Sequence, residues 1–283
     1  MKRNFLIIIT SLIIVYLLFT NTGAVANSIL SSCELFLTKV FISLFPMYIL
    51  SKVLINYNFP YYIYRLTKSN YLYIFILSLL CGSPNAYIIL NDLVNDGQIS
   101  LETANSYSMC CFFLNPLFLY TMLKTFLPVN ITIKIIIISY LSNVLLYFMH
   151  KTKGKPLKRT PELPLGDLLV KEINNAKEVF LNILGMIILF NLFSLLIPKS
   201  IGFFAGILEV SNGLSYLMMM KKALLSKCLL TIIFINFGGL SILMQIKAVL
   251  KNSHISLSSY ILGRLYACFL SLSLFLTSYL LGL

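Results

Sequence analysis

The chain has 283 residues, of which 59% are hydrophobic and only 11% charged, and its mean hydropathy is +0.90. Soluble globular proteins carry about a quarter of their residues as charged side chains, so that class is excluded. The apolar runs also lack the period-2 alternation of a membrane barrel. The 22 basic residues outnumber 9 acidic ones, a net charge of +13. They sit in loops and at the flanks of apolar runs, where basic residues set membrane orientation, so nucleic acid is not an expected partner and the lipid bilayer is.

Residues 1–30 combine Lys2-Arg3, an apolar run to Phe19 and the small-residue stretch Ala24-Val25-Ala26. This pattern fits a cleaved secretory leader or a retained signal-anchor helix; the anchor is preferred, and either places Glu34 outside. A second helix is expected over 34–56 with a kink at Pro46, returning the chain to the cytoplasm near Arg65 and Lys68. The apolar run 71–81 is too short to cross alone. Gly82 interrupts it, and Ser83-Pro84 predicts an N-cap and first-turn proline for a new helix, which ends at the Asp96-Gly97 turn.

Ser100, with Glu102 in the first turn, opens a helix expected to run to about Phe113. Asn115-Pro116 repeats the cap-plus-proline device and opens another to Leu127, after which 130–149 spans the membrane. These elements form a first unit over 31–150. Lys151, Lys153, Lys155, Lys158 and Arg159, together with Pro156, Pro161 and Pro164, mark a cytoplasmic loop. Leu165, Leu168, Leu169 and Ile173 predict a short amphipathic helix at the membrane surface, so 151–176 reads as a linker. The second unit, 177–283, holds a span over 180–197, a break at Ser211-Asn212-Gly213, an apolar run to Gly238-Gly239, and a last long helix over 255–281.

At an offset of 156 residues Gly82 pairs with Gly238, Ile99 with Ile255, Ser100 with Ser256 and Leu101 with Leu257. The first unit starts outside and the second inside. Two such halves make an inverted repeat with broken or re-entrant helices, the usual construction of secondary transporters. The expected fold class is therefore an all-α polytopic helical membrane protein.

A helix that begins within hydrocarbon exposes first-turn N–H groups, tolerable only where they meet water, protein or a ligand. Its N-terminus also carries partial positive charge and attracts anions. Gly82, Ser83 and Asn85 in one half, and Gly238, Gly239 and Ser241 in the other, are thus candidate contacts for a polar or anionic solute. The competing reading is that the glycines only let helices pack closely. Asn115 and Asn212 place side-chain amides at further breaks, and Gln245 lies one helical turn beyond Ser241. Asp92, Asp96, Glu102 and Glu209 are candidate cation or proton sites, but a solvated helix end is the preferred reading for these acids.

The six cysteines (Cys33, Cys81, Cys110, Cys111, Cys228, Cys268) lack metal-ligand spacing, and His150 and His254 stand far apart. No nucleophile elbow, phosphate-cradling loop or acid/base set is present. The sequence therefore predicts no enzyme activity, metal or cofactor.

Gly82-Ser83-Pro84-Asn85-Ala86, Asp92-Leu93 through Asp96-Gly97-Gln98-Ile99-Ser100, and Asn115-Pro116-Leu117-Phe118 together resemble the YlbJ family of sporulation integral membrane proteins. That family contains the nucleoside-recognition, or Gate, domain. Phe45-Pro46-Met47-Tyr48-Ile49-Leu50-Ser51, Leu208 to Gly213, Phe237 to Ser241 and Tyr260-Ile261-Leu262-Gly263-Arg264 extend the resemblance over nearly the whole chain. The resemblance implies broken-helix repeats like those of concentrative nucleoside transporters and a place in the outer forespore membrane. It also implies transport of a small organic anion, dipicolinate foremost, or of a nucleoside-like solute. A homo-oligomer or other sporulation membrane proteins are the implied partners. The alternative is a non-transporting scaffold or sensor for spore cortex and envelope assembly. A membrane enzyme acting on envelope precursors would need an acid/base pair that the sequence does not offer.

Overall fold

Backbone polar groups in hydrocarbon must be satisfied within protein, which drives long apolar runs into helices. The computed structural model describes residues 9, 11–12, 15–16, 19–69, 72–150, 159, 161–250 and 254–282. No strand occurs among the described residues. Among the described residues five helical stretches are long and apolar enough to cross a membrane: Thr22–Asn56, Val129–His150, Leu165–Ser194, Leu224–Val249 and Leu257–Leu280. An all-helical, multi-pass membrane architecture follows. Lys2-Arg3, most of the leader-or-anchor run and Lys151 to Lys158 lie outside the described residues.

Helix α1 (Thr22–Leu35) passes through a π-helical turn (Phe36–Phe41) directly into α2 (Ile42–Asn56), which contains Pro46. The helix expected to begin at Glu34 is thus already formed at Thr22. The stretch from Val25 to Leu35 holds neither glycine nor proline, so nothing ends the helix there. Surface helix α3 (Phe59–Thr67) buries none of its residues. Next come α4 (Leu72–Cys81), α5 (Asn85–Asn95) and α6 (Leu101–Ser108). Ser100 caps α6 as expected, its hydroxyl accepting from the Thr103 N–H.

Helix α6 ends at Ser108, not near Phe113. The Tyr107 carbonyl accepts from both Cys110 and Cys111, closing the helix, and residues 111–115 run without helical structure. Their carbonyls find partners from elsewhere in the chain. The Tyr140 hydroxyl donates to the Leu114 oxygen at 2.6 Å, and the Ser83 N–H donates to the Phe113 oxygen at 2.7 Å. Helix α7 (Pro116–Leu123) follows, shorter than expected, and then the spanning helix α8 (Val129–Met149).

The surface helix expected over 165–177 is not a separate element. It is the beginning of α9 (Leu165–Ser194), a single 30-residue helix. At 1.5 Å per residue α9 is about 45 Å long, against about 30 Å of hydrocarbon. Its amphipathic first turns, with Asp167, Lys171 and Glu172, therefore have length to stand clear of the bilayer as a continuation of the span. No proline interrupts the sequence between them.

A 3₁₀ turn (Lys199–Ile201) leads to α10 (Phe203–Leu208) and α11 (Val210–Met219). Ser211-Asn212-Gly213, expected to be a break, lies inside α11. The break is Glu209, which is extended at φ −143°, ψ 126°. Helices α12 (Leu224–Phe237), α13 (Gly239–Val249) and α14 (Leu257–Leu280) complete the chain.

The long helices frame the interrupted ones. Helix α14 packs on α8 and α12, while α9 packs on α1, α2 and α13. Phe180 of α9 sits among Phe36, Phe41, Phe45 and Tyr48, with ring centroids 5.3–6.5 Å away. These aromatic contacts anchor α9 against the α1–α2 run. The larger core, including Tyr73, Leu77, Tyr107 and Ile135, surrounds the interruptions.

Candidate functional site

The interruptions converge. Gly82 and Gly238 both adopt left-handed backbone, at φ +67° and +83°, a conformation open to glycine at no steric cost. A Cβ on Gly82 would stand 3.2 Å from the Phe113 oxygen, and one on Gly238 only 2.6 Å from the Phe112 ring. Both corners therefore press on the same non-helical segment, at consecutive residues. Gly239 lies against the backbone of Leu208 to Val210, which brings the Glu209 break to the same place.

Ser83 does not cap α5. Pro84 occupies the cap position and offers no side-chain hydrogen bond, while the Ser83 hydroxyl, 6% exposed, has no hydrogen-bond partner. Asn115 does cap, its Oδ1 accepting from the N–H groups of Leu117 (2.9 Å) and Phe118 (3.3 Å). Its Nδ2 also donates to the Ser43 carbonyl of α2.

Ser43, Ser83, Asn115, Glu209 and Gln245 supply the polar wall of a cavity of about 50 Å³; Leu44, Leu114, Phe118, Ile183 and other apolar residues supply the rest. Glu209 is only 5% exposed. Its Oε1 accepts from the Ser211 N–H and hydroxyl at 3.4 and 3.3 Å, while Oε2 has no hydrogen-bond partner. Ser241 is fully buried next to this carboxylate and accepts a bond from Gln245 Nε2 at 3.2 Å. No basic side chain lines the cavity.

The structure thus gathers Gly82, Ser83, Asn115, Gly239, Ser241 and Gln245 around one centre. Two expected contacts fall elsewhere. Asn85 is buried in the α4–α5 corner, where its Nδ2 donates to the Leu44 and Cys81 carbonyls, and it does not line the cavity. Asn212 faces α9, donating to Asn191 Oδ1 (2.8 Å) and Ser194 Oγ (2.9 Å); Asn191 in turn donates to Ser32 of α1 at 2.7 Å. This polar clasp joins three helices and leaves Asn212 a packing role. Gly238 belongs to the site through its corner, and its own nearest neighbours are Phe112 and Tyr260.

Sequence reasoning underrated Glu209 and assigned Arg264 no role. Glu209 is the lone charge in residues 202–220, and Arg264 the lone charge in α14; such residues in membrane segments are functional candidates. Arg264 is 1% exposed. Its Nη2 donates to the Met109 carbonyl (2.8 Å) and Asn143 Oδ1 (3.0 Å), and the guanidinium lies 4.4 Å from the Phe112 ring centroid. Arg264 thereby holds the end of α6 and the start of the non-helical segment. Glu209 lies against Gly239, and Arg264 against the Phe112 ring that Gly238 meets.

Two larger cavities also lie along α9. The next, about 180 Å³, is bordered by Ile88, Asn91, Glu178 and Asn182 and shares Ile183 and Gln245 with the inner one. The third, about 490 Å³, is bordered by Lys52, Asp92, Asp96, Lys171 and Glu172. Lys52 forms an ion pair with Asp92 there, and the Tyr48 hydroxyl donates to Glu172 at 3.2 Å. Asp96 is exposed, and the Asp92 side chain is 45% exposed, so both acids sit at a solvated helix end. Among the described residues no group of three or more His, Cys, Asp or Glu side chains could hold a metal. Comparison with known proteins returns no match to this chain among family models, curated proteins or solved structures.

Proposed function

We propose that the chain is a secondary carrier for a small organic solute. The observation that carries this reading is the convergence of interrupted helices on a cavity that bears buried polar side chains, with two further cavities along α9. Irregular backbone at membrane depth is tolerated where it is buried in protein or lines a cavity, and carriers bind solute at such interrupted helices.

The order of elements supports an inverted repeat. Each half runs long helix, interrupted pair, interrupted pair, long helix, with α3 an extra surface helix in the first. This correspondence sets the Gly82-Ser83 corner against Glu209, and residues 111–115 against Gly238-Gly239. Contacts follow it: α5 packs on α13 as α11 packs on α7, and α6 packs on α14 as α12 packs on α8. It replaces the gapless 156-residue offset, under which Gly82 faces Gly238.

The resemblance to the YlbJ family points to dipicolinate as solute and to the outer forespore membrane as the place. The inner two cavities carry Glu178 and Glu209 and no basic side chain. A dianion entering alone would meet like charge in a medium of low dielectric, so the solute travels with compensating cations. Organic ligand sites enclose roughly 300–1,000 Å³, so the inner cavity must widen by helix movement when a ring compound reaches it.

Uptake of radiolabelled dipicolinate and of nucleosides into vesicles containing the purified protein tests the proposal. Dipicolinate accumulation above protein-free vesicles is expected, and Gln245→Trp, which fills the junction of the two inner cavities, should reduce it at least tenfold. A folded protein that moves neither solute under any cation gradient would return the chain to the scaffold reading.

A further inference from the structure

We infer that the Glu209 cavity is a site for a monovalent cation of about the size of sodium; its use as a coupling ion rests on the carrier reading. Four observations lead there. A carboxylate about nine-tenths or more buried, with no basic side chain on the same cavity, carries a desolvation penalty of several kcal/mol unless its charge is compensated. Glu209 Oε2 and the Ser83 hydroxyl are both buried, both without hydrogen-bond partners, and both on the wall of this one cavity. The rest of the polar wall is Ser43, whose hydroxyl donates to the Lys39 and Val40 carbonyls, and the amides of Asn115 and Gln245, so oxygen is the principal donor available, as hard cations require. The volume, about 50 Å³, holds an ion with a water or two, since a water needs on the order of 10–15 Å³ on this measure. It does not hold an organic ring.

Charge selects a monovalent ion. One carboxylate balances one positive charge, whereas protein sites for divalent hard cations usually assemble several carboxylates or lean on substrate phosphates. A proton is the competing occupant. On Oε2 its acceptor would be the Ser241 hydroxyl beside the carboxylate, and the response to sodium against the response to pH separates the two occupants. A cation instead draws separate oxygens toward a common centre. The Ser83 oxygen comes from the first half of the chain and Glu209 from the second, so a bound ion ties the two interrupted hairpins together.

The test uses the full chain in lipid nanodiscs, with ²²Na⁺ binding and thermal stability measured in sodium chloride against choline chloride at equal ionic strength. The wild type should bind sodium saturably, about one ion per chain, and melt higher in sodium. Glu209→Gln should abolish both effects, and Ser83→Ala should weaken sodium binding by about tenfold or more, the scale for loss of a supporting group at a metal site. Glu34→Gln, at an exposed acid of α1, should leave them unchanged. If Glu209→Gln does not fold, the wild type and Ser83→Ala still decide. Absence of sodium-specific binding in the folded wild type, or full binding in Ser83→Ala and Glu209→Gln, overturns the site. Solute uptake that follows a pH gradient but ignores sodium overturns the cation site and leaves the carrier. Sodium binding without any solute uptake leaves the site and overturns the carrier.

Discussion

Gly238 carries two constraints at once, and a matched pair of substitutions separates them. Alanine there must adopt φ +83° and push its Cβ to 2.6 Å from the Phe112 ring. Left-handed backbone costs a non-glycine residue roughly 1–2 kcal/mol, and overpacking a filled core adds about 1–3 kcal/mol. Gly97 has a similar φ of +66°, and a methyl added there would meet nothing within 4 Å, so Gly97→Ala bears only the backbone cost. Thermal midpoints in detergent, followed by retention of the monodisperse peak, should fall clearly more for Gly238→Ala; equal losses would contradict the packing at Phe112. The two glycine corners were legible in the sequence because a glycine inside an apolar run is itself a signal. Glu209 and Arg264 were harder to weigh. A lone charge in an apolar stretch looks alike whether it ends a helix in water or faces a buried cavity, and only the third dimension separates the two.

Among the elements, local chemistry was a guide for two of the three predicted caps, Ser83 being the exception. Ser100 and Asn115 cap helices where their side chains predicted, since a cap depends on atoms two or three residues away. The unwinding after Ser108 could not be read locally, because its carbonyls are satisfied by Ser83 and Tyr140, each about 25–30 residues distant in sequence. The continuity of α9 was missed for a related reason: amphipathic and uniformly apolar stretches suggested two helices, yet no glycine or proline separates them near Lys177. Ala176→Pro tests the continuity. Within one helix it removes a backbone hydrogen bond and clashes with the preceding turn, costing about 3 kcal/mol or more, and Ala176 is buried besides. The variant should lose most of its folded yield in membranes. Wild-type yield and stability would mean that the first turns of α9 are hinged after all.

At the scale of the whole molecule, the three cavities along α9 grade in size from about 490 Å³ through 180 Å³ to 50 Å³, and that gradation predicts a size cut-off for reagents. In a background without the six native cysteines, Asn91→Cys on the middle cavity should react with both a bulky cationic methanethiosulfonate and Ag⁺. Ser83→Cys should react with Ag⁺ alone. Modification of Ser83→Cys by the bulky reagent at the same rate as Asn91→Cys would show that the inner chamber stands wider than the structure has it. The helical, multi-pass class was plain from composition, whereas the alignment of the cavities along α9 depends on long-range packing that hydropathy does not encode. One feature of that packing governs how the molecule can move. Phe112 bears on one glycine corner and Phe113 on the other, so a single peptide bond acts as the axle between them. A shift of either bend therefore bears on a residue next to the one its counterpart touches, and the two halves of the chain meet at that dipeptide.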